Sequence, residues 1–321
     1  MNGNVRAARA SAPAKVILLG EHAVVYGFPA IAVPVSSLRV FAEVKPNSHP
    51  DRELRITGAG LELYSVPSSV SEQADDALAY TVRLFTQMMN VPPPNVTITI
   101  DSHIPIAGGL GSGAAVTAAL GRALALASDI SLPDHLLNDL VYEVEKMHHG
   151  TPSGIDNTVI VYERPIYFTR SAGYDLLTIG TPFLLLIADT GEKSLTRTAV
   201  ADVRRLREAS PNRTEKVLSA IGDLVTQARQ AIESGDPQKL GSLMTENHEL
   251  LCELTVSSQQ LDILVKAARQ AGAWGAKLSG GGRGGNMIAL VPFDLEDAVR
   301  QALYDAGAVR VFRTVIESGL N

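Results

Sequence analysis

Four glycines fall within residues 108–113 of the segment PIAGGLGSGAA (105–115), and the run passes directly into the helix-forming stretch GAAVTAALGRALALAS. Bare glycine amides can turn toward an oxyanion, and a helix that starts beside them adds the positive end of its dipole. One or two glycines would mark only a tight strand-to-helix turn, whereas four in six residues point to a phosphate cradle. Its members would be Pro105, Gly108, Gly109, Leu110, Gly111, Ser112, Gly113 and Ala114. Two familiar nucleotide patterns are set aside. The sequence GxxxxGK[ST] occurs nowhere, and the GxGxxG match at Gly280, Gly282 and Gly285 precedes a strand-like run instead of opening a helix.

Three segments, APAKVILLGEHAVVYG (12–27), PIAGGLGSGAA (105–115) and KLSGGGRGGN (277–286), resemble the three ordered motifs of the GHMP kinases. The likeness spans nearly the whole chain. GEHAVVYG together with HHGTPSGIDN (148–157) looks like the mevalonate-phosphorylating branch, and galactose- or homoserine-directed members usually differ there. The resemblance implies transfer of the ATP γ-phosphate to the 5-hydroxyl of (R)-mevalonate, giving 5-phosphomevalonate and ADP, with Mg²⁺ as metal. It implies an α+β, two-domain fold: a mixed-sheet N-terminal domain over 1–180, a ferredoxin-like C-terminal domain over 181–321, and the active site in the cleft. Similar kinases also suggest a homodimer.

Phosphoryl transfer is mostly positioning and charge neutralisation, so the site needs a metal ligand, a cation and a group oriented on the attacking hydroxyl. By similarity, Asp156 is the carboxylate beside that hydroxyl, a general base. Lys15 pairs with it and neutralises phosphate charge, which keeps the carboxylate ionised. Glu145, eleven residues before Asp156, takes the place of the family's magnesium-binding glutamate, an oxygen donor of the kind hard Mg²⁺ prefers. The chain departs from the family's GLGSSAA at Gly113, which replaces the second serine, so Ser112 or a water must serve the metal instead. Glu21, His22 and Thr196 would line the substrate pocket with Lys15 at its hydroxyl end. Gly281 and Gly282 belong to a glycine run whose lack of Cβ lets the backbone approach the phosphate loop and substrate. Arg283 inside that run is an unexpected charge.

Taken singly, these residues have plainer readings: Asp156 a turn or cap residue, Lys15 an exposed strand-end charge, Glu145 a solvated helix carboxylate. Alternatives within the fold are phosphomevalonate kinase, a mevalonate 3-kinase or the related decarboxylase, the last disfavoured by the presence of both Lys15 and Asp156. An alternative from another class is a catalytically silent metabolite sensor, against which intact Lys15, Glu145 and Asp156 speak together. His148 and His149 lie near Glu145 without an HExxH pattern or a third ligand, so they read as packing or capping residues and not as zinc ligands.

The elements that must position these groups are legible in outline. KVILLG, AIAVPVSSLRVFAEVKP, LRITGAG and VTITIDSHIP read as strands, and 70–90 as helical. Helices follow from Ser112 to about Ser128 and from Leu136 to His149, with PSGIDN read as a loop after them and VIVYERPIYF as a strand. FLLLIADT reads as another strand. Residues 195–271 are helical in period, broken at Ser210-Pro211 and Gly235-Asp236-Pro237; strand-like NMIALV, a helix at 294–306 and strand-like VRVFRTVI close the chain.

Composition sets the frame. At 321 residues the chain exceeds one ordinary core, and 45% apolar with 19% charged residues suits sizeable buried cores. A formal charge of −6 without a basic run argues against nucleic-acid partners and leaves room for a local anion site. No stretch reads as a signal peptide or membrane span, so a cytoplasmic protein without membrane association is expected. Cys252 is the sole cysteine, which excludes an intrachain disulfide and reads as a helix core residue.

Overall fold

The computed structural model describes residues 5–47, 53–58, 61–67, 77–105, 109–149, 152–194 and 196–318. Two sheets organise them. The first comprises β1 (Ala8–Leu19), β2 (Ala30–Pro46), β3 (Glu53–Gly58), β4 (Leu61–Pro67), β5 (Val96–Ser102), β6 (Ile166–Thr169) and β7 (Gly173–Leu176). Its order is β4-β3-β5-β2-β6-β7, with β1 paired to β2. β3 runs parallel to β5, whereas β2 pairs antiparallel with both β5 and β6, so the sheet is mixed.

The second sheet has the order β11-β8-β10-β9, where β8 is Phe183–Asp189, β9 Gly275–Ser279, β10 Asn286–Val291 and β11 Arg310–Ile316. All its pairings are antiparallel. Helices intervene after β8 and between β10 and β11, which gives the β-α-β-β-α-β order of a ferredoxin-like sheet. Every residue of β8 and β10 is buried, as their unbroken apolar runs demand.

The chain divides into two compact units. One takes in residues 1–14, 38–105 and 111–162, and holds the helices α1 (Ala77–Met89), α2 (Ser112–Ala127), α3 (Asp134–His149) and α4 (Ile155–Tyr162). Gly121 lets α2 and α3 approach, because a Cβ there would lie 2.8 Å from Leu137 Cδ1. The other takes in 15–37, 106–110 and 163–321, with α5 (Thr196–Ala209), α6 (Pro211–Ser234), α7 (Pro237–Glu253), α8 (Gln259–Gln270) and α9 (Glu296–Asp305). Gly235 in the left-handed region ends α6, and Asp236 then caps α7 by accepting the Lys239 N–H at 2.9 Å.

Three expectations need correction. PSGIDN is not a loop throughout, since α4 begins at Ile155, and VIVY belongs to that helix and not to a strand. Val159, Ile160 and Val161 are all buried there, so packing overrides the β-branched preference. Cys252 is exposed. The inward stripe of α7 runs through Leu240, Met244, Asn247, His248 and Leu251, and Cys252 falls at its edge. Among the described residues, no helix is long and apolar enough to cross a membrane.

Candidate active site

In the first unit, the glycine loop ends in backbone that only glycine adopts easily: Gly111, the residue before α2, has φ 75°. Among the described residues no side-chain capping bond is made to the start of α2, and helix-start N–H groups of this kind suit an anion. Ser112 is half-buried as the first helical residue, and Ala114 is buried one turn in. Gly109 also has positive φ, 73°, and a Cβ there would meet nothing within 4 Å among the described residues. Its glycine therefore answers a backbone demand. Gly108 lies outside the described residues, and Pro105 is buried before them.

Glu145 reaches this helix start. It is 5% exposed, and a Cβ on Gly113 would sit 3.2 Å from its Oε1. A side chain at 113 would therefore start in tight contact with that carboxylate. A buried carboxylate at a helix N-terminus is favoured by the dipole, and with the Ser112 hydroxyl it offers hard oxygen donors that fit Mg²⁺. The plain reading of Glu145 as a solvated helix residue fails on its burial.

Asp156 is half-buried in the first turn of α4, where the dipole again favours a carboxylate. Its helix is anchored on both sides. The Thr158 hydroxyl donates to Gly154 O at 2.7 Å, and Asn157 Nδ2 donates to Asn138 Oδ1 on α3 at 2.8 Å.

In the second unit, Lys15 is 4% exposed on β1, and its backbone N–H donates to Leu110 O at 3.0 Å. Its side chain is thus no exposed strand-end charge. Glu21 and His22 follow β1, both buried. His22 has φ 61° and hydrogen-bonds through Nε2 to Gly281 O at 3.1 Å. Burial lowers its pKa from 6.5 to about 4, so the ring is neutral at neutral pH and Nε2 carries the proton.

Thr196 opens α5 with its side chain exposed. A Cβ on Gly281 would strike its Oγ1 at 2.5 Å, and one on Gly282 would strike Val256 O at 1.9 Å. Within this unit the glycines of 280–285 thus admit the start of α5 and the turn before α8. Arg283, at φ 56°, is held by Asp202 of α5 and by the Thr255 carbonyl.

The chain matches the GHMP kinases N terminal domain over residues 77–164 and the GHMP kinases C terminal domain over 228–309. It is 34% identical to a mevalonate kinase of Thermococcus sibiricus over 97% of both chains. It is 35% identical to one of Pyrococcus abyssi, covering 97% of this chain and 96% of that one. It belongs to the mevalonate kinase family of the GHMP kinases. The crystal structure of Leishmania major mevalonate kinase with R-mevalonate superposes with TM-score 0.84 at 28% identity, covering 100% of this chain and 99% of that one. A Streptococcus pneumoniae phosphomevalonate kinase, 18% identical with TM-score 0.78, shares the fold.

Membership in this kinase family implies ATP as the phosphoryl donor and a small molecule as the acceptor. One residue escaped the sequence reading. Lys277 on β9 is 0% exposed, and its ammonium donates to Glu21 Oε1 and, at 2.6 Å, to Leu278 O. Burial pushes its pKa down while the Glu21 carboxylate opposes that shift. Glu21 Oε2 is buried without a hydrogen-bond partner among the described residues, an oxygen that a ligand hydroxyl would satisfy. The signal in the sequence is the lysine that opens KLSGGGRGGN.

Proposed function

We propose that this protein transfers the γ-phosphoryl group of ATP to the 5-hydroxyl of (R)-mevalonate, giving 5-phosphomevalonate and ADP, in the mevalonate route to isoprenoids. The observation that carries this reading is the chain-long likeness to mevalonate kinases at 34% to 35% identity. Supporting it, Glu145, Asp156, Glu21 and His22 each occupy a buried or helix-start position that suits the role assigned by resemblance.

In this reading the N–H groups at the start of α2, with Gly109, Leu110, Gly111 and Gly113, hold the nucleotide phosphates. Glu145 and Ser112 would hold Mg²⁺, which supplies neutralisation of charge on the β- and γ-phosphates. Asp156 accepts a hydrogen bond from the attacking hydroxyl and takes its proton as the new P–O bond forms and the bond from the γ-phosphorus to the bridging oxygen breaks, releasing ADP. Lys15 offsets the phosphate charge and keeps Asp156 ionised. Glu21 Oε2 accepts from a substrate hydroxyl, His22 is held neutral behind it, and Thr196 with Gly281 and Gly282 completes the pocket wall.

We assign residues 1–180 and 181–321 as the two domains of the sequence, since the family matches fall at 77–164 and 228–309, on either side of that division; the compact units divide differently, with 15–37, 106–110 and 163–180 in the second. A cytoplasmic homodimer completes the proposal. ADP release measured with mevalonate, phosphomevalonate, homoserine and galactose tests the substrate. Turnover with mevalonate alone is expected, and turnover only with a different acceptor would overturn it.

A further inference from the structure

Away from the proposed substrate residues, His248 and Cys252 of α7 and Asp262 of α8 bring one donor atom each within 4.8 Å of one another. The donor set would suit a soft divalent cation. The hydrogen bonding points elsewhere. Leu278 N–H donates to His248 Nδ1 at 3.3 Å, so that lone pair is taken and the neutral ring carries its proton on Nε2. Nε2 is the atom facing Asp262 Oδ1 at 3.3 Å and Cys252 Sγ at 3.7 Å. A metal on Nε2 would require the other tautomer, with its proton turned against the Leu278 N–H. Cys252 is exposed as a residue, yet partial desolvation of its sulfur and the neighbouring Asp262 carboxylate raise the thiol pKa, which disfavours the thiolate that a metal needs.

The cluster therefore holds a proton, and its geometry gives that proton a purpose. Asp262 Oδ1 accepts from the Ser257 hydroxyl and from Cys252 S–H, and it lies 3.3 Å from His248 Nε2, where a carboxylate favours the proton on that nitrogen. β9 is an edge strand, so alternate N–H groups on it lack a strand partner, and His248 supplies one for Leu278. Leu278 follows Lys277, and its carbonyl takes the Lys277 ammonium that also binds Glu21. We propose that His248 is a positioning residue for substrate binding: held by Asp262 in its Nε2–H tautomer, it fixes the Leu278 main chain and thereby the Lys277–Glu21 pair. The substrate part rests on the mevalonate reading of Glu21. The charges facing His248 are Asp262, which favours imidazolium, and Lys277 and Arg269, which oppose it. Burial is the largest influence and lowers its pKa, so the ring stays an acceptor toward Leu278 at neutral pH.

Two substitutions separate the acceptor from the bulk of the ring. In His248→Asn the amide oxygen stands near the place of Nδ1 and keeps the Leu278 bond; His248→Leu removes it. The Leu variant is expected to raise KM for mevalonate roughly fivefold, the equivalent of one ordinary hydrogen bond. Its kcat and KM for ATP should stay near wild type, and the Leu278 amide should exchange faster with solvent. The Asn variant should restore KM and exchange protection. Asp262→Asn, made on an exposed side chain, should shift KM in the same direction by less, and it remains readable if the Leu variant fails to fold. Equal KM increases in the Leu and Asn variants, or no increase in Leu, would overturn the proposal. So would Zn²⁺ stabilisation of the wild type that Cys252→Ser abolishes. Wild-type protein inactive on mevalonate would sink the substrate reading alone. Leu278 exchange would then decide the positioning by itself: faster in Leu and not in Asn upholds it, and unchanged exchange refutes it.

Discussion

Asp156 and Lys277 are both charged, and they should fail in different ways. Asp156 is half-buried at a helix start and is assigned to the reacting hydroxyl. Asp156→Asn should lower kcat by about 10²- to 10⁴-fold, the range of a lost general base, with ATP affinity measured by calorimetry unchanged. Near-normal kcat would remove its assigned role. Lys277 is fully buried against Glu21, so Lys277→Met strands a carboxylate in the interior. Denaturant unfolding should show a loss of roughly 3–5 kcal/mol, and the double variant with Glu21→Gln should recover part of it. A Lys277→Met protein as stable as the wild type would contradict the burial argument. Glu145 stands between these cases. Because its buried carboxylate lies beside Gly113 at the start of α2, Glu145→Ala should raise the Mg²⁺ concentration needed for half-maximal rate.

At the scale of elements, the third glycine motif is a packing joint. Gly281→Ala drives a Cβ to 2.5 Å from Thr196 Oγ1 and 2.7 Å from its Cα, so the start of α5 must shift. Overpacking of this kind costs about 1–3 kcal/mol, and here it should also raise KM for the acceptor more than KM for ATP. Much of this level was legible in the chain. AIAVPVSSLRVFAEVKP matches β2 from Ala30 to Pro46, and the breaks at Ser210-Pro211 and Gly235-Asp236-Pro237 separate α5, α6 and α7. Proline and glycine fix backbone geometry locally, which is why those breaks show. The helix α4 did not show, because its VIVY run has strand-like residues and only tertiary burial makes it helical. The pairing of Lys277 with Glu21 was equally hidden. It joins residues 256 apart, and nothing in a local pattern reports such a contact. Gly113 is visible as a departure from the family, but its neighbour, the carboxylate of Glu145, lies on another helix.

The whole molecule adds a pH dependence. His22 has its pKa lowered from 6.5 to about 4 in the folded state, so the folded protein keeps the ring neutral while the unfolded chain binds a proton as pH falls through 6.5. The stability that this group lends is fully present above 6.5 and is lost progressively between there and about 4. A shift of this size is worth about 3 kcal/mol. Urea unfolding at pH 7 and pH 4.5 should differ in that direction, and His22→Gln should flatten the difference. The central claim, however, concerns chemistry. The direct measurement is phosphorus-coupled proton NMR of the product formed from ATP and (R)-mevalonate. Coupling of phosphorus to the C5 methylene, appearing about 10²- to 10⁴-fold more slowly with Asp156→Asn, is the predicted result. A phosphoryl group on the C3 oxygen, or ADP formed without any mevalonate phosphate, would contradict the account.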